Sequence, residues 1–572
     1  MHRTDTEKNG TSPCVRVEAH GLNWRAVRDF ADELEALDIN KVRNPHGEPG
    51  VELVKDSLYR TVVRMASPSE GGSAGVFVKR IKRDRFRRRL RTLVRGTQAA
   101  REWKVSRAMI RRGIPTSRVL AMAENRDGLF CQEAFLISRE LPNAVTVRNY
   151  LKSIRGSRDA QRRRRELVEE MASLLVRMID RGIGHGDLHV GNVMINPNAP
   201  RGERLYVLDV HRVKVGGPGR RGIIRMMVYL ADSTSQLGVG PLERLRFLRR
   251  VLRAWRGRAA DEGDRLRRWA RRVERAWKRR HRRHMRSRTK RCVEESSEFT
   301  CGRSGGFRIY RRRCFPVDKA LEAVRGHLGT DEGAESGCDV RKDGSRTKIS
   351  RCVLSSGREI FIKAFKRDSL WDRVKGVFRP KGRAMKAWIA HRGLEVRGIP
   401  QARALCLLEF NNKLGGEPDY LITEAVEGGT DLQEFARGQS PNHPRHEELC
   451  LSDMEIRALG ESVAGLFRDM AAARVRHGDM KPSNIVVGIE KDEFGLSLVD
   501  LDSVKFEEEW KRRHWVLHLA QCNAGLDAGI SPLQRMRSLR TIGRNRWTAS
   551  ERLSIAREVL EISMGRDPMW LR

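Results

Sequence analysis

A short polar motif occurs twice in this chain, and its repetition constrains the fold more than any other feature. The first copy is His-Gly-Asp-Leu-His-Val-Gly-Asn at residues 185–192, and the second is His-Gly-Asp-Met-Lys-Pro-Ser-Asn at residues 477–484. In each copy a second Asp follows after a hydrophobic run, at Asp209 and Asp500. Phosphoryl transfer requires one carboxylate beside the attacking hydroxyl, and an amide and a second carboxylate to hold Mg²⁺. The pattern therefore predicts two phosphotransfer sites in one chain.

Other segments repeat in the same order as the two motifs. Val-Phe-Val-Lys at residues 76–79 corresponds to Ile-Phe-Ile-Lys at 360–363, and Gly-Ile-Pro at 113–115 recurs at 398–400. These offsets of 284 and 285 residues are close to the offset of 292 between the motifs, and loop insertions produce such a drift. Solenoid repeats have periods of only about 20 to 50 residues. The sequence therefore predicts a tandem duplication of one whole domain.

Within each copy, predicted strands precede predicted helices. In the first copy, runs of apolar residues predict paired strands over 51–64 and a further strand over 75–81. Apolar residues at helical spacing between 167 and 178 predict a helix that leads into the motif. This order is typical of a two-lobed α+β domain. The predicted boundaries are an N-terminal extension at 1–50, a first domain at 51–290, a linker at 291–336 and a second domain at 337–572.

The chain carries a high positive charge. Its 114 Lys and Arg residues exceed its 73 Asp and Glu residues by 41. Such a surface attracts polyanions, which include nucleic acids, anionic lipid headgroups and phosphorylated glycans. The basic runs lack regularly spaced aromatic residues, and no nucleic-acid-binding motif is present. The sequence therefore disfavours nucleic acid as the partner.

The cysteines and the N-terminus indicate the compartment. The ten cysteines form no Cys-x-x-Cys pair, and the first residues are polar rather than the apolar core of a secretory signal. We therefore expect reduced thiols in a cytoplasmic protein, without a zinc site. No stretch reaches the roughly 20 apolar residues that cross a bilayer. If the protein meets a membrane, we expect it to do so from the surface.

The most basic segment lies between the two copies, at residues 265–284. Its apolar residues fall on one helical face: Leu266, Trp269, Ala270, Val273, Ala276 and Trp277. Two interpretations stay open at this point. The apolar face can pack on the first domain and leave the arginines solvated, or the basic amphipathic helix can lie on an anionic membrane surface.

The first motif, together with Leu-Asp-Val-His-Arg at 208–212, resembles the lipopolysaccharide core kinases, the family of Kdo and heptose kinases. Three further segments also match that family's pattern: 76–79, 101–103 and 113–116. The resemblance covers residues 51–255 and, more loosely, 341–572. It implies two tandem bilobal protein-kinase-like domains, each with a small antiparallel-sheet N-lobe and a mainly helical C-lobe. It also implies ATP and Mg²⁺ as cofactors, an anionic glycolipid or glycan as acceptor, and a peripheral place on the inner face of the cytoplasmic membrane.

Five residues of the first copy have the chemistry that a kinase site needs. Lys79, on a short apolar strand, can hold the α- and β-phosphates of ATP, and Glu102 on the following helix can pair with it. Asp187 is the candidate catalytic base, which accepts the proton of the acceptor hydroxyl or orients that hydroxyl. Asn192 and Asp209 are the candidate Mg²⁺ ligands, because the ion prefers hard oxygen donors.

The second copy retains four of these five residue types. Lys363 is the nucleotide-binding candidate, Asp479 the catalytic candidate, and Asn484 and Asp500 the metal-ligating candidates. The position that corresponds to the pairing Glu is Ala387, so that Lys363 lacks its expected partner. We therefore expect the first domain to be the main catalyst. The second is expected to be weaker, differently specific, or a nucleotide-binding regulatory module of the pseudokinase type.

The copies differ from each other at one motif position, and both differ from protein kinases in their phosphate-binding loop. His189 of the first motif is replaced by Lys481 in the second, and the sequence leaves open whether the imidazole contacts the transferred phosphate or packs. The glycine-rich phosphate loop is missing from both copies. Lys-Asp-Ser-Leu at 55–58 and Lys-Asp-Gly-Ser at 342–345 stand in its place. The backbone N–H groups of a turn can still bind phosphate there.

Three classes of function fit these motifs: a kinase of small molecules or glycans, a protein serine/threonine kinase, and a non-catalytic scaffold. Residues 210–232 contain no Ser or Thr, and neither metal-site Asp is followed by Ala-Pro-Glu. The activation switch and peptide platform of protein kinases therefore lack a counterpart. The favoured function is Mg-ATP-dependent phosphorylation of a sugar hydroxyl on a lipopolysaccharide core or similar glycan. A protein serine/threonine kinase is the alternative.

Overall fold

Each half of the chain contains a seven-stranded antiparallel sheet and a set of helices that follows it. The structure is a computed structural model, and it describes residues 13–57, 59–67, 75–82, 96–234, 237, 239–256, 262–329, 338–366, 382–411, 417–490 and 493–571. The chain divides into two units, Met1–Arg282 and Arg283–Arg572. Sheets and helices occur in both units, which confirms the predicted α+β class.

The first unit is built on one large sheet and two small ones. Its strands are β1 (Cys14–Ala19), β2 (Leu22–Val27), β3 (Val51–Asp56), β4 (Arg60–Ala66), β5 (Gly75–Ile81), β6 (Val119–Asp127), β7 (Phe130–Arg139), β8 (Val145–Thr146), β9 (Ile183–His185), β10 (Val193–Ile195), β11 (Leu205–Val207) and β12 (Val213–Val215). The large sheet has the order β1-β2-β6-β7-β5-β4-β3. β10 lies between β8 and β11, and β9 pairs with β12. Its helices are α1 (Ala31–Ala36), α2 (Gln98–Arg111), α3 (Val147–Ser153), α4 (Ala160–Asp180), α5 (Arg220–Thr234), α6 (Pro241–Arg256) and α7 (Glu262–Lys290).

The second unit repeats this plan. Its strands are β13 (Phe299–Ser304), β14 (Phe307–Arg312), β15 (Cys338–Asp343), β16 (Thr347–Val353), β17 (Glu359–Phe365), β18 (Ala404–Phe410), β19 (Asp419–Glu424), β20 (Thr430–Asp431), β21 (Val475–Arg476), β22 (Ile485–Glu490), β23 (Glu493–Leu498) and β24 (Lys505–Phe506). The large sheet has the order β13-β14-β18-β19-β17-β16-β15, which matches the first sheet position by position. Its helices are α8 (Val317–Leu328), α9 (Arg383–Arg397), α10 (Leu432–Gly438), α11 (His446–Leu449), α12 (Asp453–Ala473), α13 (Arg512–Gly525), α14 (Pro532–Ile542) and α15 (Ala549–Met564).

The helix α4 positions the first motif. The apolar stripe that the sequence predicted on this helix is buried in the helical core: Leu167, Met171, Leu174, Leu175 and Met178. The helix ends at Asp180, and Gly182 adopts a φ of 70°, in the left-handed region that glycine enters without steric cost. This turn leads directly into β9, so the motif begins on a strand that is fixed to a packed helix.

The predicted N-terminal extension is part of the first sheet. β1 and β2 form a hairpin, and Trp24 of β2 lies opposite Ala123 of β6. Trp24 and Phe30 are fully buried in the core of this sheet. Residues 14–27 of the predicted extension therefore form two strands of this sheet. The pattern is weak in sequence because the outward-facing side chains of β1 are only partly covered. Residues 1–12 lie outside the described part of the chain.

The predicted linker at 291–336 contains strands and a helix. β13, β14 and α8 occupy residues 299–328, and β14 pairs with β18. Phe299 and Tyr310 are buried against the helix α9 and its Trp388. Many Gly, Ser and Arg residues in the hairpin hid this signal, because they make its exposed face polar. Residues 330–336 lie outside the described part of the chain.

The basic segment between the copies forms most of the helix α7. Trp269 belongs to the helical core of the first unit, and Leu266, Ala270 and Val273 pack against that core. The first of the two interpretations is therefore confirmed for these residues, since the apolar face is used for packing. The arginines Arg267, Arg268, Arg271, Arg272 and Arg275 remain exposed.

One expectation about the cysteines is wrong. Cys338 of β15 lies directly opposite Cys352 of β16, with a Cα–Cα distance of 4.2 Å, and the two form a disulfide. The other eight cysteines are thiols, as expected. Strand register brings the pair together, and spacing in the sequence gives no sign of that register. None of the helices in the described residues is long and apolar enough to cross a membrane.

Candidate phosphotransfer site

A buried histidine braces the first motif loop. His185 is the last residue of β9, and its Nδ1 accepts the N–H of Asp187 at 3.0 Å. Its Nε2 lies 3.1 Å from the carbonyl oxygen of Leu208 and donates to it. Burial lowers the pKa of His185. The neutral imidazole therefore uses one nitrogen as acceptor and the other as donor, and it ties the loop to the segment after β11 that carries Asp209.

The amide of Asn192 is oriented by the same loop. Its Nδ2 donates to the main-chain carbonyl oxygen of Asp187 at 3.0 Å, and the main-chain carbonyl oxygen of Asn192 accepts the N–H of Leu208 at 2.8 Å. Because the amide nitrogen is used within the loop, the amide oxygen is the atom that can serve as a metal ligand.

Asp209 occupies a strained backbone position beside this loop. Its φ of 55° and ψ of 49° lie in the left-handed region, which costs a non-glycine residue about 1 kcal/mol or more. Its Oδ1 accepts a hydrogen bond from His211 Nδ1 at 2.8 Å and lies 4.0 Å from Lys79 Nζ. Burial alone would raise the pKa of Asp209, but the hydrogen bond from His211 and the charge of Lys79 outweigh it and hold that pKa well below its ordinary value. The carboxylate is therefore ionised at neutral pH.

The structure brings Lys79 and Glu102 together. Lys79 Nζ donates to both oxygens of Glu102, at 2.8 and 3.1 Å, and Gln98 on the preceding turn of α2 donates to Glu102 at 2.8 Å. One ligand atom each of Glu102, Asp209 and His211 lies within 4.8 Å of the other two. A lysine from the sheet and a carboxylate from the motif region thus meet at one point of the first unit.

The carboxylate of Asp187 is paired with Arg212, a residue to which the sequence assigns no role. Arg212 Nη1 donates to Asp187 Oδ2 at 3.2 Å. His189, whose role the sequence left open, uses Nδ1 to accept the N–H of Gly191 at 3.1 Å. Burial lowers the pKa of His189, with the nearby Asp187 opposing this effect. In this structure the imidazole therefore stabilises the turn of the motif.

The β3–β4 turn stands where protein kinases have a glycine-rich loop. Asp56 accepts hydrogen bonds from Lys82 and Thr61, at 2.7 and 2.8 Å. Lys55 lies opposite Val62, which lies opposite Lys79, so both lysines project from the same face of the sheet. The charge of Arg60, followed by burial, lowers the pKa of Lys55. The end of β3 therefore presents a lysine where glycine-rich loops present backbone N–H groups.

The second unit reproduces the motif loop. His477 Nδ1 accepts the N–H of Asp479 at 3.2 Å, and Asn484 Nδ2 donates to the carbonyl oxygen of Asp479 at 2.8 Å. Asp500 has a φ of 55°, the same value as Asp209. The repeated loop geometry includes the unfavourable backbone conformation, which indicates a shared constraint at this position.

The lysine of the second unit is held differently. Lys363 Nζ hydrogen-bonds directly to Asp500, and Ala387 is buried at the position of the missing Glu. Burial raises the pKa of Asp500, but the charge of Lys363 outweighs it and the pKa is lowered overall. A second link joins α9 to the motif region, where Arg383 Nη2 donates to Asp502 at 2.9 Å. The helix thus supplies a cation in this unit and a carboxylate in the first.

Both units match the sequence model of one protein family. The sequence model of the lipopolysaccharide kinase (Kdo/WaaP) family matches residues 60–237 and 347–521. The lipopolysaccharide core heptose(I) kinase WaaP of Pseudomonas aeruginosa PAO1 is 26% identical over 159 residues, which are 27% of this chain and 59% of that protein. The chain thus matches about three fifths of the length of this curated relative.

A solved structure of WaaP in complex with acyl carrier protein is also similar. It is 23% identical, the match covers 39% of this chain and 88% of that chain, and the TM-score is 0.30, too low to establish a shared fold. The family match is sufficient to establish the family, because its two segments together exceed half of the 572 residues and each contains one of the two motif loops. The protein therefore belongs to the lipopolysaccharide kinase (Kdo/WaaP) family.

Proposed function

We propose that the protein is a kinase that transfers the γ-phosphoryl group of ATP, with Mg²⁺, to a sugar hydroxyl of a lipopolysaccharide core or similar glycan. One observation carries this proposal. Lys79 of the sheet is held by Glu102, and its Nζ lies 4.0 Å from Asp209, whose neighbouring loop carries Asp187 and Asn192. Membership of a kinase family supports the same reaction.

The residues fit a magnesium site. Asn192 and Asp209 would hold the ion, because an amide oxygen and an ionised carboxylate are the hard donors that Mg²⁺ prefers. When bound, the ion neutralises charge on the β- and γ-phosphates. Asp187 would accept the proton of the acceptor hydroxyl or orient it, and Lys79 would hold the α- and β-phosphates.

A sugar acceptor fits the segment that follows Asp209 better than a peptide does. The chain passes through the short strand β12 and enters α5 at Arg220, eleven residues after Asp209. Residues 210–232 contain no Ser or Thr that could act as an activation switch. The name of the relative in P. aeruginosa supports a glycolipid core as the acceptor class. The net charge of +41 suits an anionic acceptor and a peripheral place at the inner membrane face.

The second unit is proposed to be the weaker catalyst or a nucleotide-binding regulatory module. Its Lys363 is bonded to the carboxylate that would hold the metal, and Ala387 offers no competing partner. Nucleotide binding would first have to separate this pair, which lowers the affinity by the free energy of that separation.

Labelled ATP tests the proposal when purified protein is offered glycolipid and protein acceptors together. We expect label on the glycolipid only. In protein that also carries Asp479→Asn, Asp209→Ala should abolish Mg²⁺-dependent turnover while the protein stays folded by circular dichroism. As single substitutions, Asp187→Asn should reduce turnover far more than Asp479→Asn. Label only on polypeptide would favour a protein kinase instead. Equal losses from Asp187→Asn and Asp479→Asn would contradict the proposed division between the units.

A further inference from the structure

In both units the carboxylate of the candidate base is paired with a cation, but the cation comes from different places in the chain. Arg212 Nη1 lies 3.2 Å from Asp187 Oδ2, and Lys481 Nζ lies 3.1 Å from Asp479 Oδ2. Lys481 belongs to the motif itself, two residues after its Asp. Arg212 stands 25 residues after Asp187, on the turn that follows Asp209.

The residue of the second unit that corresponds to Arg212 is Ser503. Each of the two residues backs onto the glycine that precedes the candidate base. A methyl group added to Gly186 would lie 2.9 Å from the carbonyl oxygen of Arg212, and one added to Gly478 would lie 3.0 Å from that of Ser503. The two positions are therefore equivalent in space, and only the first carries a charge.

The reverse holds at the motif position. His189 corresponds to Lys481, and its Nδ1 is engaged as the acceptor of a backbone N–H. Each unit thus places one cationic side chain on the same oxygen of its base carboxylate, and each leaves the other position without one. The two copies have kept the cation while exchanging the residue that supplies it.

Stability of the fold does not explain this arrangement. The side chains of Arg212 and Lys481 are 57% and 54% exposed. Ion pairs at such positions contribute little to folding, because water screens the charges and ordering long side chains costs entropy. The chemistry offers a reason instead. The base carboxylate and the transferred phosphoryl group are both negative and must approach each other, so a cation between them lowers the barrier.

We propose that Arg212 is the residue of the first unit that contacts the transferred phosphoryl group, in the place that Lys481 takes in the second. This inference rests on the proposed function, since it assigns a role within that same site. A guanidinium suits the task because it can donate to Asp187 and to phosphate oxygens at the same time. A positioning role through Asp187 alone would leave nucleotide affinity unchanged.

The test exchanges the position of the cation within the first unit. All variants carry Asp479→Asn and Lys363→Ala, so that neither turnover nor nucleotide binding by the second unit masks the result. Arg212→Ser removes the cation, and Arg212→Ser with His189→Lys moves it to the motif position. Arg212→Lys keeps the charge and remains informative if His189→Lys disturbs the loop. Arg162→Ser is the matched control, because Arg162 is also an exposed arginine paired with a carboxylate, Asp159, at 2.9 Å.

Affinities for Mg·ATP and Mg·ADP are measured by competition with a fluorescent nucleotide, and phosphoryl transfer is measured in single turnover. Arg212→Ser should weaken Mg·ATP by about tenfold or more while leaving Mg·ADP nearly unchanged, because ADP lacks the γ-phosphate. Moving the cation should regain most of the preference for ATP, and Arg212→Lys should lose less of it than Arg212→Ser. The control should keep the wild-type preference.

Two results would overturn the inference. An equal loss of affinity for both nucleotides in Arg212→Ser, or no loss for either, would leave the preference for ATP unchanged and exclude contact with the γ-phosphate. No recovery in the relocated variant, together with no advantage of Arg212→Lys over Arg212→Ser, would show that the cation is not what matters. Failure of the proposed acceptor is separate, because a wild type that binds Mg·ATP without labelling glycolipid still allows the affinity comparison. A wild type that binds neither nucleotide would overturn both proposals.

Discussion

Replacing Glu102 with Gln tests how far the first unit depends on the carboxylate that holds Lys79. The side chains of Lys79 and Glu102 are 18% and 5% exposed, so the pair is little screened by water. The variant keeps the volume and one acceptor oxygen but removes the negative charge. The second unit shows the arrangement to expect without that charge, since Lys363 bonds directly to Asp500 beside the buried Ala387.

The size of the effect follows from the geometry. Lys79 Nζ donates to both carboxylate oxygens of Glu102, at 2.8 and 3.1 Å, while Asp209 Oδ1 lies 4.0 Å away. A hydrogen bond to a charged group contributes about 1.5–3 kcal/mol. With this interaction weakened, Lys79 is drawn toward Asp209 and away from the phosphates. Because about 1.4 kcal/mol is a factor of ten in rate, we expect kcat/KM for Mg·ATP to fall by roughly 10- to 150-fold.

Initial rates of label transfer from ATP to the glycolipid acceptor measure this loss, in protein that also carries Asp479→Asn. Glu133→Gln is the matched control, because the Glu133 carboxylate is similarly covered and binds Arg80 on the same sheet and Arg43 in the segment before β3. It lies outside the site and should change turnover by no more than about twofold. A folded Glu102→Gln protein that turns over at the wild-type rate would refute the reasoning.

Three further predictions concern the disulfide, a buried histidine and the packing of α7. Alkylation of the denatured protein should modify eight cysteines without reductant and ten with it, because Cys338 and Cys352 are bonded, and ten without reductant by mass spectrometry would contradict the pairing. Burial lowers the pKa of His391 to about 4, below its unfolded value of about 6.5. The unfolded chain therefore binds a proton at this histidine before the folded chain does, so the free energy of unfolding should be unaffected by His391 above pH 6.5 and should decrease as the pH falls toward 4. The melting temperature of His391→Gln should therefore depend less on pH over this interval, and an unaltered dependence would count against the buried neutral imidazole. Trp269→Ala should lower the free energy of unfolding in urea by about 3–5 kcal/mol, whereas Arg271→Gln on the exposed face should change it by no more than about 0.5 kcal/mol, and equal effects would contradict the packing of α7.

Local patterns in the sequence were sufficient to predict the main architecture. The duplicated motif, the apolar strand that carries Lys79 and the helix before the motif are all signalled by residues close together in the chain. The same spacing placed Glu102 within reach of Lys79, and the structure shows the two in contact. Packing of the basic helix on the first unit was one of two interpretations, and only the burial of Trp269 decided between them.

The hairpins β1–β2 and β13–β14 were missed because their local patterns are weak, whereas the other missed features depend on contacts between residues well separated in the chain. Arg212 reaches Asp187 across a turn whose backbone conformation no spacing rule specifies. Cys338 meets Cys352 only because of strand register. The direct hydrogen bond from Lys363 to Asp500, the candidate metal ligand, could not be predicted, because the sequence shows that Lys363 has lost a partner but not which residue replaces it.

The two hairpins that open the sheets bear on the origin of this chain. β1–β2 and β13–β14 occupy the same edge in sheets of identical strand order, and Cys14 and Phe299 begin them 285 residues apart. The ancestral domain that was copied therefore already possessed the hairpin, and the duplicated segment included the whole sheet. Descendants of the unfused ancestor should begin their folded part with this hairpin. A recombinant second half should accordingly start before Cys292, whose carbonyl oxygen accepts the indole N–H of Trp388.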